Sequence, residues 1–202
     1  MNQKCLFIGD SITDSGRRQD SEGIGHGYVR MIKKAIVTYG NVEVINKGVS
    51  GDRITDLEER WNRDVLALQP DVVSISIGIN DVWRQLDHPE MDQVTPEDYK
   101  KIYEELVEKV KLLGAKCILM EPTIIEERID SIGNQKLFPY VKIVRQLAEK
   151  YDALLVPTHT AFLEELQKGK KSSLTTDGVH MTEAGNQLMA KTWLDTCVDK
   201  LL

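Results

Sequence analysis

Four short segments carry side chains suited to acyl transfer: Gly9-Asp10-Ser11, Gly51, Gly78-Ile79-Asn80-Asp81 and Asp177-Gly178-Val179-His180. Such chemistry needs a nucleophile, a base to take its proton, a group to orient that base, and donors for the developing oxyanion. Ser11 directly follows the apolar run 5–8, which would lift its hydroxyl to a sheet edge. His180 supplies an imidazole whose ordinary pKa, near ~6.5, suits general-base work around neutrality. Asp177 lies three residues earlier, so one turn can aim its carboxylate at the imidazole nitrogen remote from Ser11. The Asn80 amide and the backbone N–H groups of Ser11 and Gly51 are candidate oxyanion donors, and Gly51, lacking a Cβ, lets its backbone approach a substrate closely. Taken singly these signals are weak. A serine after a strand is commonly a helix cap, Asp-Gly is a common turn dipeptide, and Gly78 with Asn80 could cap a helix.

Their positions in the fold give them weight. Short, nearly continuous apolar runs at 5–8, 42–46, 72–77, 116–120 and 154–156 read as parallel strands covered on both faces. Helices are predicted between and after them at 28–39, 54–68, 96–113, 139–151, 160–167 and 183–201. The clearest has Tyr99, Ile102, Tyr103, Leu106, Val110 and Leu113 along one stripe, Pro96 in its first turn and Gly114 past its end. Alternating strands and helices imply right-handed βαβ crossovers and a doubly wound sheet with helices on both faces. The expected fold is therefore a three-layer α/β/α sandwich on a flavodoxin-like five-stranded parallel sheet in the order 2-1-3-4-5. No repeat, low-complexity tract or linker interrupts residues 1–202, which read as one domain. In such sheets the functional crevice lies beyond the carboxyl ends of the strands, and all four segments fall there.

These blocks resemble those of the SGNH/GDSL hydrolases, in the family's order and over nearly the whole chain. The resemblance implies a flavodoxin-like sandwich, a Ser11-His180-Asp177 triad and an oxyanion hole from the N–H groups of Ser11 and Gly51 and the Asn80 side chain. It implies no metal and no organic cofactor. Within the family, the runs 7–14, 25–29, 46–51 and 78–85 resemble bacterial carbohydrate acetylesterases acting on acetylated xylan fragments. Many relatives have proline after the histidine, where this chain has Met181. The expected activity is hydrolysis of short-chain acyl esters, chiefly acetyl esters of carbohydrates. The runner-up is a lysophospholipase or thioesterase, disfavoured because no long apolar insertion could form a lid or acyl tunnel. A flavodoxin-like binding module, with the loop 11–16 around a phosphate, leaves Asn80, Asp177 and His180 unexplained.

Around these blocks, Trp83 is expected either to pack or to wall a sugar or acyl site, Arg84 to bind substrate or close a loop ion pair, and Tyr28 to line the pocket. His26, His88 and His159 are not expected to be catalytic, and Asp10 and Asp81 are expected to brace their loops through backbone N–H groups. The 202 residues carry a net charge of -6, from 26 basic and 32 acidic side chains, which argues against nucleic acid or an anionic membrane as partner. The basic stretch 168–171 reads as a solvated loop. The apolar run 5–8 is too short for a secretory leader, and no run approaches the roughly 18 apolar residues of a membrane helix. Cys5, Cys117 and Cys197 are too widely spaced for a metal pair or a disulfide framework, which fits a reducing cytoplasm. The expected partner is a small ester or an acetylated oligosaccharide, and the acetylesterase likeness carries the expectation of a homo-oligomer.

Overall fold

The computed structural model describes residues 3–169 and 172–201, so Met1, Asn2, Leu202 and two lysines of the basic stretch, Lys170 and Lys171, lie outside it. Five parallel strands, β1 (Gln3–Gly9), β2 (Val42–Gly48), β3 (Val72–Ser76), β4 (Lys116–Met120) and β5 (Leu154–Val156), form one sheet in the order β2-β1-β3-β4-β5. The expected order is thus the observed one. Every residue of β3 is buried, as is the stretch Cys5–Gly9 of β1, because helices cover both faces. The helices are α1 (Ser11–Asp14), α2 (Tyr28–Ile36), α3 (Ile54–Asp64), α4 (Ile79–Asp87), α5 (Pro96–Leu112), α6 (Ile132–Lys150), α7 (Thr158–Gln167) and α8 (Glu183–Leu201). On one face α8 packs against α2 and α7, while α5 packs against α3 and α6 on the other.

Several boundaries follow from local chemistry. Thr95 caps α5 by accepting the Asp98 N–H, Pro96 occupies its first turn, and Gly114 ends it at a φ of 75°. Three expectations need correction. The segment expected as a helix over 54–68 breaks at Val65 into a single 3-10 turn, Leu66–Leu68, closed by Gln69 in the left-handed region. α6 starts seven residues before Pro139, at Ile132, because Ser131 caps it through the Asn134 N–H. The Asn134 side chain also bonds the backbone at Ile125, Glu126 and Arg128, anchoring that first stretch ahead of the proline. Finally, the runs after β1 and β3, expected as loops, coil at once into α1 and α4.

The three cysteines are free, buried thiols. Among the described residues no helix is long and apolar enough to cross a membrane. The α8 layer is pinned by Trp193, whose ring lies 5.4 Å from that of Phe7 on β1 and whose indole N–H donates to Ser74 Oγ on β3 at 3.1 Å. Replacing Trp193 with alanine removes this packing and leaves Ser74 without its donor, so unfolding in urea should show a loss of ~3–5 kcal/mol. Ile132→Ala, at a side chain 65% exposed, should stay within about 0.5 kcal/mol of the parent. Equal losses in the two variants would contradict this account of the core.

Candidate active site

β1 ends at Gly9, and Asp10 caps α1 by accepting the Ile12 N–H at 3.0 Å. This tight exit makes Ser11 the first residue of a four-residue helix, at the carboxyl edge of the sheet. At the far end of the chain, Asp177 shapes its own turn: Oδ1 accepts the N–H groups of Val179 at 3.0 Å and His180 at 2.8 Å. The turn is closed by Thr176 N–H donating to the His180 carbonyl and Thr182 N–H donating to that of Leu174, and it is held to the body by Glu126 N–H donating to the Gly178 carbonyl.

These two constructions meet. His180 Nε2 lies 2.9 Å from Ser11 Oγ, and His180 Nδ1 lies 2.7 Å from Asp177 Oδ2. Burial opposes ionisation of Asp177, but the side-chain and backbone bonds from His180 and the Val179 N–H outweigh it and hold the carboxyl below its ordinary value. An ionised Asp177 fixes the proton on Nδ1 and leaves Nε2 as acceptor for the serine hydroxyl.

The expected oxyanion donors come from neighbouring strand ends. Asn80, in the first turn of α4, is buried and donates one amide N–H to the Asp52 carbonyl at 3.0 Å. Its second amide N–H, and the backbone N–H groups of Ser11 and Gly51, have no acceptor among the described residues. Gly51 has a φ of 88°, and a Cβ built there would meet nothing within 4 Å, so it is backbone conformation and not crowding that favours glycine.

The other expected residues divide. Trp83 stands edge-on to His180, its ring 5.8 Å away at 69°. Arg84 lies over the Trp83 ring and pairs with Asp87 at 2.5 Å, an i,i+3 ion pair within α4 and not the loop pair expected for it. The expectation for Tyr28 is corrected: its side chain is fully buried, with its hydroxyl 2.9 Å from Thr13 Oγ1, so it supports α1 from the core side and does not line a pocket. Of the remaining histidines, His159 is buried with Nδ1 against the Thr123 carbonyl, and His88 sits beside Glu90 at 3.1 Å.

A cleft of about 180 Å³ adjoins the Asp177 turn, walled by Trp83, Leu86 and Ile125 and rimmed by Asp87 and Glu126. Among the described residues, no group of three or more His, Cys, Asp or Glu side chains could hold a metal ion.

Sequence reasoning missed Arg60. This arginine is 7% exposed and donates to Asp52, Asp64 and the carbonyls of Lys47 and Gly9. Its signal was available: Leu57, Arg60, Trp61 and Asp64 share the buried face of α3, so a charged pair interrupts an apolar stripe.

A serine, a histidine and an aspartate thus stand in hydrogen-bond series at the carboxyl edge of a doubly wound sheet. The chain belongs to the GDSL-like lipase/acylhydrolase family, whose model matches residues 7–188, and it is a carboxylic ester hydrolase. An acetylxylan esterase from Geobacillus stearothermophilus is 41% identical over 202 residues, covering 95% of this chain and 92% of that protein. A crystal structure of an acetylxylan esterase from the same organism superposes with a TM-score of 0.90 at 38% identity, covering 96% of this chain and 93% of that one. An α/β hydrolase from the metagenome of Lake Arreo, Spain, superposes with the same TM-score at 35% identity, over 96% and 94% of the two chains.

Two carboxyls beneath the site are out of their ordinary range. Burial pushes Asp10 up to about 7, against the Ile12 N–H, which lowers it. Burial likewise pushes Asp81 up to about 7, although Ile54 N–H donates to its Oδ1; its Oδ2 has no partner among the described residues. The folded protein therefore binds this proton more tightly than the unfolded chain, whose aspartate titrates near ~3.9. Asp81 accordingly favours folding at low pH, and that contribution is lost as pH rises towards about 7. Asp81→Asn keeps an acceptor for Ile54 and removes the titration. Thermal midpoints should decline less steeply between pH 5 and 8 in this variant than in the parent, with the variant ahead at pH 8. Parallel curves would refute the assignment.

Proposed function

We propose that this single 202-residue domain removes acetyl groups from esterified carbohydrates by a Ser11-His180-Asp177 mechanism. The observation that carries the reading is the unbroken series from Asp177 Oδ2 through both imidazole nitrogens to Ser11 Oγ. His180 Nε2 takes the hydroxyl proton as Ser11 Oγ attacks the ester carbonyl, forming the tetrahedral intermediate. Asp177 keeps the imidazole in its acceptor tautomer and stabilises the imidazolium that forms. The oxyanion is received by the N–H groups of Ser11 and Gly51 and by the Asn80 amide, three donors fixed before the charge develops. The imidazolium gives its proton to the leaving sugar hydroxyl. Water, deprotonated by His180, then attacks the acetyl-serine, releasing acetate and restoring Ser11. Every proton in the cycle passes through Nε2, and no cofactor is required.

The substrate class rests on the acetylxylan esterase relatives and on the cleft. Its lining includes Trp83, Leu86 and Ile125, which suit the C–H faces of a sugar ring. The substrate is accordingly an acetylated xylo-oligosaccharide or a related neutral sugar ester, and the leaving alcohol is its freed sugar hydroxyl.

In a folded protein Ser11→Ala should lower kcat on acetyl esters on the order of 10⁴–10⁶-fold. Asn80→Ala should cost roughly 3–4 kcal/mol in the barrier, a hundred- to thousand-fold in rate, with KM little changed. Ester hydrolysis at the parent rate in Ser11→Ala would sink the mechanism. Rates across acetyl, butyryl and octanoyl esters should fall with length, and a rise beyond butyryl would instead favour a lipid or thioester acylhydrolase.

A further inference from the structure

Resting on the oxyanion site proposed above, we infer that Arg60 is its positioning residue: one buried guanidinium that sets the Gly51 and Asn80 donors relative to the exit of β1. Four of its five N–H groups are used, three on the strand ends and loop of the site and one on Asp64 of its own helix. Nε donates to Asp52 Oδ2 at 2.6 Å, Nη1 to the Lys47 carbonyl at 2.7 Å and to Asp64 Oδ2 at 3.2 Å, and Nη2 to the Gly9 carbonyl at 3.0 Å. Gly9 stands two residues before Ser11, Lys47 is the penultimate residue of β2, and Asp52 follows Gly51.

The link to Asn80 passes through Asp52. The side chain of Asp52 is held by Arg60, while its carbonyl accepts one amide N–H of Asn80 at 3.0 Å, which directs the other N–H of that amide. All three oxyanion donors are thus within two residues, or one further hydrogen bond, of a bond made by Arg60.

The Gly51 loop depends on such a link more than its neighbours do. A Cβ at Gly51 would touch nothing within 4 Å, so no packing confines the open side of the loop. Its local backbone tie is the Asp52 N–H to the Val49 carbonyl at 3.3 Å, a long bond. An oxyanion donor displaced by about 1 Å loses much of its effect on rate. The planar guanidinium is suited to this work because its donors leave in a fixed fork, which a lysine ammonium cannot reproduce. The charge is balanced locally: Asp52 and Asp64 face Arg60, and Asp64 is shared with Arg63 at 3.0 Å. One of its bonds, to Asp64, stays within α3, and the other three join the exit of β1 at Gly9 to the end of β2 and the loop after it, at Lys47 and Asp52.

The test is a double-mutant cycle with Asn80, using Arg60→Lys, which keeps the charge, and Asp52→Ala, which breaks the link from the loop side. Steady-state kinetics on an acetyl ester are measured below the thermal midpoint of each variant, so that the folded enzyme is compared. Each single variant should lose on the order of 10²-fold in kcat with KM within about twofold, because the interaction acts through the transition state. Combined with Asn80→Ala, each should cost clearly less than the product of the two single losses, because one of the donors that Arg60 sets is already gone. A lowered thermal midpoint with kcat at the parent value would make Arg60 structural only and overturn the inference, as would losses that multiply in the double variants. If Asn80→Ala itself kept the parent kcat, the oxyanion reading would fail first, whatever Arg60 did.

Discussion

The 2.9 Å contact between Ser11 Oγ and His180 Nε2 joins residues 169 positions apart, and the fold holds both ends of it in register. A hydrogen bond of this kind contributes only about 1 kcal/mol by itself, far too little to fix two chain ends. Its geometry is imposed by packing. α8, which follows His180, is docked on the sheet through Trp193 against Phe7 and Ser74. Its first turn is tied to α2 by the Tyr28 N–H donating to Asn186 Oδ1 at 2.9 Å. The Tyr28 hydroxyl in turn meets Thr13 of α1 at 2.9 Å. A continuous path therefore runs from the nucleophile's helix through the core to the helix that follows the base, and Tyr28 is its middle link.

Beneath the reacting groups, the sheet edge is built from buried polar side chains that are almost all satisfied. The Asn46 amide donates to the carbonyls of Thr13 and Ile24 and accepts the Gly48 N–H, using both amide protons and its oxygen. Arg60 does the same for the carbonyls of Gly9 and Lys47. Parallel strands must end somewhere, and where loops cross above the ends their carbonyls need donors that water cannot supply. Meeting that need with side chains from other strand ends binds the loops together, so satisfying the backbone and preorganising the site are one event. Asp81 is one exception, with a buried oxygen lacking a partner among the described residues, and burial raises its pKa.

Layer count and the meeting of Ser11, His180 and Asp177 were legible from the sequence because they rest on strong patterns, whereas strand order, which periodicity does not carry, rests on the simplest arrangement of five such strands. Apolar runs mark buried parallel strands, and polar residues placed just past them mark the carboxyl edge. The errors fall where short-range signals compete. Ser131 with Asn134 outranked Pro139 as the start of α6, since a side-chain cap fixes a first turn while an internal proline only removes one bond from it. Tyr28 was misplaced because its neighbours, Gly25 and Gly27, suggest a loop at the site, whereas its ring is directed inward. Arg60 was overlooked because its partners, Gly9, Lys47, Asp52 and Asp64, converge only in three dimensions; Asp64 alone, four residues on, was visible as a helix pair.

The site is asymmetric in its exposure, and that bears on what it accepts. The side chains of His180 and Asp177 are 40% and 46% exposed, whereas Asn80 and Asp52 are buried. In the proposed mechanism the leaving alcohol is protonated on the open, histidine side, while the carbonyl oxygen turns towards the N–H groups of Ser11 and Gly51 and the buried Asn80 amide. An open leaving-group side tolerates alcohols of varied size, since a sugar extending past Trp83 meets solvent or the cleft. The donor side has no such latitude, because its positions are fixed by bonds between strand ends. In that mechanism selectivity for the ester's reacting atoms comes from the sheet edge, and selectivity for the alcohol is left to the few side chains of the Trp83 cleft. Changes at Leu86, Asp87 or Glu126 can therefore retune the alcohol without disturbing the acyl chemistry.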